Sequence, residues 1–241
     1  ISACLVGSEM CIRDSFWAAV GRTVAVVAIA VSLEFIIGLS LALLFRGEFL
    51  AKRVLTSVIL YPMMLPWVVV GFTFYLLFLP QGPVNYLLRE VLGPNAAVSW
   101  FKEPPLAFSA IVLADVWQWT PFMFLILYSV LGALPREPVE AAMTLGAKRW
   151  QIFRHVTLPM LKPIIIIALV IRALEAFKIF DLIFVMTDGG PGTSTESISV
   201  YIYRLSFEYQ RLSYAAAMAL LILLLVTLIT RMAIRPLEYQ E

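Results

Sequence analysis

The chain has 241 residues, of which 61% are hydrophobic and 14% charged, and 18 Lys and Arg against 16 Asp and Glu leave a net charge of +2. A typical soluble domain is about 45–50% apolar and about 25% charged, whereas the mean hydropathy here is +0.91. A disordered tail, a basic nucleic-acid-binding face and an ordinary soluble enzyme are excluded, because a globule of this size would leave large apolar patches in water; lipid is the natural solvent for the excess.

Residues 1–15, ISACLVGSEMCIRDS, do not fit the rest. They hold both cysteines, Cys4 and Cys11, and are too weakly apolar to cross a membrane. A signal-peptide remnant would need a basic n-region and a small-residue cleavage site. The string also looks like translated sequencing adapter, so it is expected to be non-native and is set aside. With no cysteine elsewhere and a single histidine, His155, neither a disulfide framework nor a His/Cys zinc site is available. His155 itself reads as a polar loop residue.

Five segments then supply the roughly 20 apolar residues that a helix needs to span a bilayer. The expected spans are 16–45, interrupted by Ser32 and Glu34; 54–79, holding Pro62 and Pro66; 106–134, holding Asp115 and Pro121; 164–187, with four charges; and 213–234. The fold expected is an all-α polytopic membrane protein with one transmembrane domain over 16–235. Lys and Arg sort into alternate loops. Ten flank one side (Arg46, Lys52, Arg53, Arg136, Lys148, Arg149, Arg154, Lys162, Arg231, Arg235), and Arg89, Lys102, Arg204 and Arg211 flank the other. The richer side should be cytoplasmic. The C-terminus then lies inside and residue 16 outside, which leads us to expect a sixth helix before residue 16 in the intact protein.

Within 54–79, the two prolines free backbone carbonyls. They mark either a break that lines a cavity or a simple kink. In 106–134, Asp115, Trp117, Gln118 and Trp119 offer stacking and hydrogen bonding to a solute, or the tryptophans sit in an interfacial aromatic belt. Glu34 is a lone acid that could equally be a helix–helix polar contact.

The inside loop 135–163, PREPVEAAMTLGAKRWQIFRHVTLPMLKP, is long and patterned. Pro138 suits a first helical turn. Val139, Ala142, Met143 and Leu145 give one apolar face, and Gly146 can end that helix and admit a close partner backbone. A second short helix carries Trp150, Phe153 and Val156, with Leu158-Pro159 expected to stop it. Periodicity alone leaves two readings, an interfacial helix or a docking element.

Glu140-Ala141-Ala142, three residues, Gly146, nine residues, Val156, one residue and Leu158-Pro159 together resemble the EAA signature of type-I ABC importer permeases. The family usually has Ile at Val156, and many sugar permeases have Asp where this chain has Leu145. The resemblance runs from about residue 16 to 238. Trp150-Gln151-Ile152-Phe153-Arg154, Phe180-Asp181-Leu182-Ile183-Phe184, Gly189-Gly190-Pro191-Gly192, Thr195-Glu196, Tyr201-Ile202-Tyr203 and Tyr214-Ala215-Ala216-Ala217 look like the first permease subunit of carbohydrate importers of the maltose-transporter type.

The resemblance implies a subunit without its own ATPase, and no G-x-x-x-x-G-K-[ST] loop occurs. It implies that Glu140, Ala141, Ala142, Gly146, Leu158 and Pro159 belong to a coupling helix seated in an ATPase subunit. The implied partners are a second permease in a heterodimer, an ABC ATPase dimer that uses ATP and Mg, and an extracytoplasmic binding protein delivering a sugar or polyol. The setting is a bacterial or archaeal plasma membrane, and no cofactor is expected on this chain itself.

The fourth span is the candidate solute path. Arg172, Glu175, Lys178 and Asp181 recur every three residues. At mid-bilayer each charge costs about 2.5–3.5 kcal/mol, so none should face lipid. Glu175, Lys178, Asp181 and Phe177, with Gln118 and Trp119, are the expected path residues. The alternative is internal ion pairing, such as Glu175 with Arg172 or Lys178. A three-residue repeat drifts around a helix, so the four charges cannot share one narrow face. Residues 188–195, DGGPGTST, have turn chemistry and could meet the binding protein. An ion-driven secondary transporter is the rival from another class, without visible inverted-repeat symmetry. An intramembrane enzyme would need a constellation such as H-E-x-x-H or G-x-S-x-G, and neither occurs. A non-sugar type-I importer is the alternative within the class.

Overall fold

The computed structural model describes residues 8–47, 49–94 and 96–238, with side chains described from 14 to 232 within those stretches. Among the described residues the chain is helical and has no strand. Cys4 and the side chain of Cys11 lie outside them, as does the part of the non-native reading that covers 1–7. From Ser8 onward the chain is already helical: α1 runs unbroken over Ser8–Leu44.

The apolar run 106–134 becomes α5 (Pro104–Ala133), the central helix. In its most apolar stretch 67% of residues are buried, against 11–28% for the other four candidate spans. That follows from its small and branched positions: Ala107, Ala110, Ile111 and Ala114 are fully buried and let neighbours approach. α1 crosses α5 closely at Gly38, where an added Cβ would lie 2.7 Å from the Cβ of Met123 and 3.0 Å from the Phe124 amide nitrogen. Small residues at such crossings replace the hydrophobic driving force that lipid cannot supply.

The second expected span, 54–79, is not one helix. It divides into α2 (Lys52–Leu60), a 3₁₀ turn over Tyr61–Met64, an extended Leu65 and α3 (Trp67–Phe78). Pro62 and Pro66 are the reason: each lacks an N–H, and Pro66 forces the residue before it out of the helical region. The stretch that qualifies as a span shifts to Trp67–Leu92, across α3 and α4 (Pro83–Leu92). Asn85 of α4 is fully buried and fixes the following loop. Its Nδ2 donates to the carbonyls of Leu79 and Val98, both at 3.0 Å, and its Oδ1 accepts from the Val98 amide at 2.9 Å. Asn85→Leu should strand those three backbone groups, at a cost of about 1–3 kcal/mol. The expected result is faster limited proteolysis between 79 and 98 with the rest of the chain protected; unchanged cleavage would refute it.

The fourth expected span, 164–187, is also moved. The helix α8 covers Leu158–Phe177, the chain breaks over 178–180, and α9 (Asp181–Met186) follows. The break leaves Lys178 at the helix end, where its side chain is exposed. Its loop neighbour Ile179 stays buried, and its carbonyl accepts from Ser197 Oγ at 2.9 Å. α10 (Ile198–Tyr203) leads through a π-turn into α11 (Leu212–Glu238). Leu220, Leu221, Leu224 and Leu228 of α11 are more than half exposed in the isolated chain, as a lipid- or subunit-facing helix requires.

Candidate functional site

Two parts of the fold carry unusual chemistry: the segment between α5 and α8, and a set of charges inside the bundle.

In the first, α6 (Glu137–Thr144) begins with Pro138 in its first turn, as expected, and stops at Gly146. The stop is a Schellman-type cap. The Gly146 amide donates to Met143 O, the Ala147 amide donates to Ala142 O, and Gly146 takes φ +79°. α7 (Arg149–Ile152) follows, opened by Gln151, whose side chain accepts from the Lys148 amide at 2.8 Å. Leu158-Pro159 does not stop this helix. A π-turn over Phe153–Thr157 carries the chain directly into α8. The wider turn, closed by Leu158 N–H onto Phe153 O, gives Pro159 a place in the first turn of α8, where its missing N–H is harmless.

The expected apolar face of α6 is only partly covered. Val139 and Ala142 are half-buried, while Met143 and Leu145 are 57% and 87% exposed, and Glu140 and Ala141 are exposed as well. No residue of α6 is buried. Between α6 and α7 lies an open groove of about 490 Å³, lined in part by Ala142, Leu145, Gly146 and His155. Trp150 stands 67% exposed beside it, tilted against Phe153. Exposed apolar residues rimmed by charge are the kind of surface that meets a protein partner or the bilayer.

The second part was not legible as such. Arg172 of α8, Glu34 of α1 and Asp115 of α5 form one fully buried ion cluster. The guanidinium donates to both Glu34 oxygens, from Nε at 2.7 Å and from Nη2 at 2.8 Å, and Nη2 also donates to Asp115 Oδ2. Arg172 lies over the Trp119 ring, its Cζ 4.9 Å from the centroid. Trp119 in turn packs on Trp67 and Phe122. Gln118, one turn from Asp115 on the same face of α5, donates from Nε2 to the Leu65 carbonyl that the proline break frees, at 3.1 Å. Four buried polar atoms of this neighbourhood have no partner among the described residues: Asp115 Oδ1, Gln118 Oε1, Trp119 Nε1 and Arg172 Nη1.

Gln118 and Trp119 are therefore brought together with Arg172, and Glu175, Lys178, Asp181 and Phe177 are not. Glu175 and Lys178 pair with each other at 2.8 Å, largely exposed, at the end of α8. Asp181 opens α9, and Phe177 packs against the apolar cluster that includes Phe16 and Tyr201. Of the two pairings offered for Glu175, the one with Lys178 forms and the one with Arg172 does not; Arg172 takes two acids 138 and 57 residues away. The available signal was a lone acid in each of two other spans, Glu34 and Asp115, since intramembrane charges pair with one another.

The segment after α9 is held rather than free. Thr195, Glu196 and Ser197 are buried. Arg204 bridges Glu196 at 3.0 Å and Asp188 at 3.1 Å, and Arg22 of α1 donates to the Glu196 carbonyl at 3.0 Å. Burial pushes the Glu196 carboxyl above its usual range, with the Arg204 and Arg22 cations pulling the other way.

The described residues form a helical bundle with five candidate membrane spans, an internal ion cluster and an exposed, capped helix pair. Residues 34–235 match the family described as binding-protein-dependent transport system inner membrane component. The chain belongs to that family, as a permease subunit of a binding-protein-dependent importer. It is 40% identical over 217 residues to the trehalose/maltose transport system permease protein MalF of Thermococcus litoralis, covering 89% of this chain and 72% of that protein. It is 35% identical over 221 residues to the sulfoquinovosyl glycerol transport system permease protein SmoG of Agrobacterium fabrum, covering 91% and 71%. The fold matches a chain in the crystal structure of a bacterial alginate ABC transporter in complex with alginate pentasaccharide-bound periplasmic protein. There the TM-score is 0.81 at 23% identity, over 96% of this chain and 79% of that one.

Proposed function

We propose that this permease works with a second permease subunit, an ABC ATPase dimer using ATP and Mg, and an extracytoplasmic binding protein to import a sugar or polyol. The observation that carries the reading is the uncovered α6–Gly146–α7 element, whose exposed Glu140, Ala141 and Met143 offer one carboxylate, one small and one soft apolar contact to a partner groove. Glu140, Ala141, Ala142 and Gly146 transmit ATPase closure. Leu158 and Pro159 fix the start of α8 beneath them. The ten Lys and Arg of the richer side support a cytoplasmic position for this element and the C-terminus, in a prokaryotic plasma membrane.

The solute path runs past Gln118 and Trp119, where unpartnered amide, indole and guanidinium groups offer hydrogen bonds to hydroxyls and the Trp119 ring offers stacking. Glu175, Lys178, Asp181 and Phe177 lie further along, at the break between α8 and α9. The sugar assignment draws on the named activities of the two relatives, trehalose/maltose and sulfoquinovosyl glycerol transport.

The test is the ATPase rate of the reconstituted four-component complex with its binding protein and a panel of sugars and polyols. Stimulation by one of them is the expected result. An assembled complex that ignores every carbohydrate but responds to another solute would remove the sugar. Failure of any ATPase subunit to associate, with Glu140 changes silent, would remove the coupling role.

A further inference from the structure

A cavity of about 660 Å³ lies where α1, α2 and α5 end against α6. It is separate from the ion cluster and from the groove beside Gly146. Three cations line it, Arg46, Lys52 and Arg136, and one acid, Glu140. Neither Arg46 nor Arg136 makes a side-chain hydrogen bond or ion pair with any described residue, and no bridge joins either to Glu140. Lys52 extends over the Tyr128 ring, its Nζ 5.5 Å from the centroid. The cavity's deeper wall is apolar, built from Ala42 and Leu131. Outside it, Leu44 and Val54 are 71% and 66% exposed on the helices that bound it.

We propose that this cavity binds the phosphate of an anionic phospholipid such as phosphatidylglycerol. Two arginines that make no side-chain bond to a described residue line one space, and guanidinium forks suit a phosphate oxyanion. At about 30 Å³ per water the space would hold about twenty waters, enough for a phosphodiester with its glycerol. The exposed Leu44 and Val54 on the bounding helices offer attached acyl chains apolar surface beside the cavity, which a free anion would not use. Basic pockets between helix ends on the cytoplasmic side are where anionic headgroups collect. Arg136, Val139 and Glu140 of the α5–α6 connection and α6 form one wall. A bound headgroup therefore ties α6 to the ends of α1 and α2 and makes coupling sensitive to membrane charge. The inference depends on the chain spanning a membrane and not on which solute crosses it.

The experiment uses the whole importer complex, purified from mixed phosphatidylcholine and phosphatidylglycerol and examined by native mass spectrometry. It compares wild type with the double variant Arg46→Gln and Arg136→Gln, both at exposed positions. Wild type is expected to retain phosphatidylglycerol over phosphatidylcholine, and the variant to lose about thirty-fold in that preference, the factor expected of two basic residues at a membrane surface. ATPase stimulation on moving from pure phosphatidylcholine to mixed nanodiscs should disappear in parallel. Equal retention by the variant would overturn the proposal. Retention of added inorganic phosphate by wild type in pure phosphatidylcholine, with no lipid preference, would overturn the lipid as the source. Loss of the ATPase subunit from the variant at unchanged lipid retention would assign the cavity to a protein partner instead. Solute-stimulated ATPase in the same preparations reports separately on the proposed transport function.

Discussion

Arg172→Met should unfold the bundle at temperatures where the parent survives. Glu34 and Asp115 would then be buried without a cation, and breaking a buried pair by removing one partner costs about 3–5 kcal/mol. For a helical chain of this size that is a large share of a total stability of about 5–15 kcal/mol. The measurement is thermal unfolding of the detergent-solubilised protein, followed by Trp fluorescence, because Trp119 lies directly on the guanidinium. A melting temperature equal to the parent's would refute the idea that the cluster ties α1, α5 and α8 together. The informative companion is the triple variant Glu34→Leu, Asp115→Leu and Arg172→Met. Replacing a whole buried ion cluster by apolar side chains of similar volume is often neutral for stability. The triple variant should therefore fold again. If it also transports, the cluster only fastens helices. If it folds and fails to transport, the polar groups beside Gln118 and Trp119 serve the path.

The second large effect is at Gly146. At φ +79° a β-branched residue is strained by roughly 1–2 kcal/mol. Yet an added Cβ meets nothing within 4 Å in this chain. Any loss beyond that strain must come from a surface that approaches from outside. Gly146→Asn, which tolerates the left-handed conformation, should keep the α6 cap and most transport. Gly146→Val should weaken the cap, and Gly146→Trp should obstruct the partner. The expected outcome for Trp is at least a tenfold loss of solute uptake in proteoliposomes while ATP hydrolysis continues, about 1.4 kcal/mol or more of lost coupling. Full uptake by the Trp variant would sink the coupling assignment.

The parts of the fold that were legible in sequence are those governed by continuous hydropathy. Spans one, three and five emerge as α1, α5 and α11 with ends moved by a few residues or one to two turns. The second span misled because 54–79 is apolar throughout, while Pro62 and Pro66 act on backbone geometry and leave Leu65 extended. Those prolines pointed to a break or a kink, and the break is what occurs, with Gln118 satisfying the freed carbonyl. Leu158-Pro159 misled in the opposite direction: the same residue type that ends a helix can open one, and a π-turn makes the junction. In the candidate site, Glu140 through Gly146 was readable because a short linear pattern encodes a local cap. The cluster of Glu34, Asp115 and Arg172 was not, because the spacing in RALEAFKIFD advertises local pairs, and only the packing of three helices brings the distant acids to Arg172.

α1 is 37 residues long without a proline or a break, about 55 Å of helix against a hydrocarbon core of about 30 Å. Two charged contacts hold it, Arg22 to Glu196 and Glu34 to Arg172, and Arg46 lines the cavity beside α6 just past its C-terminal end. Arg22 and Arg46 are separated by 24 positions, most of them helical, or about 36 Å of rise. A helix of that kind behaves as a push-rod. A displacement at the Arg22–Glu196 contact would be carried along its length to the α6 end, because no proline or break lies between to absorb it.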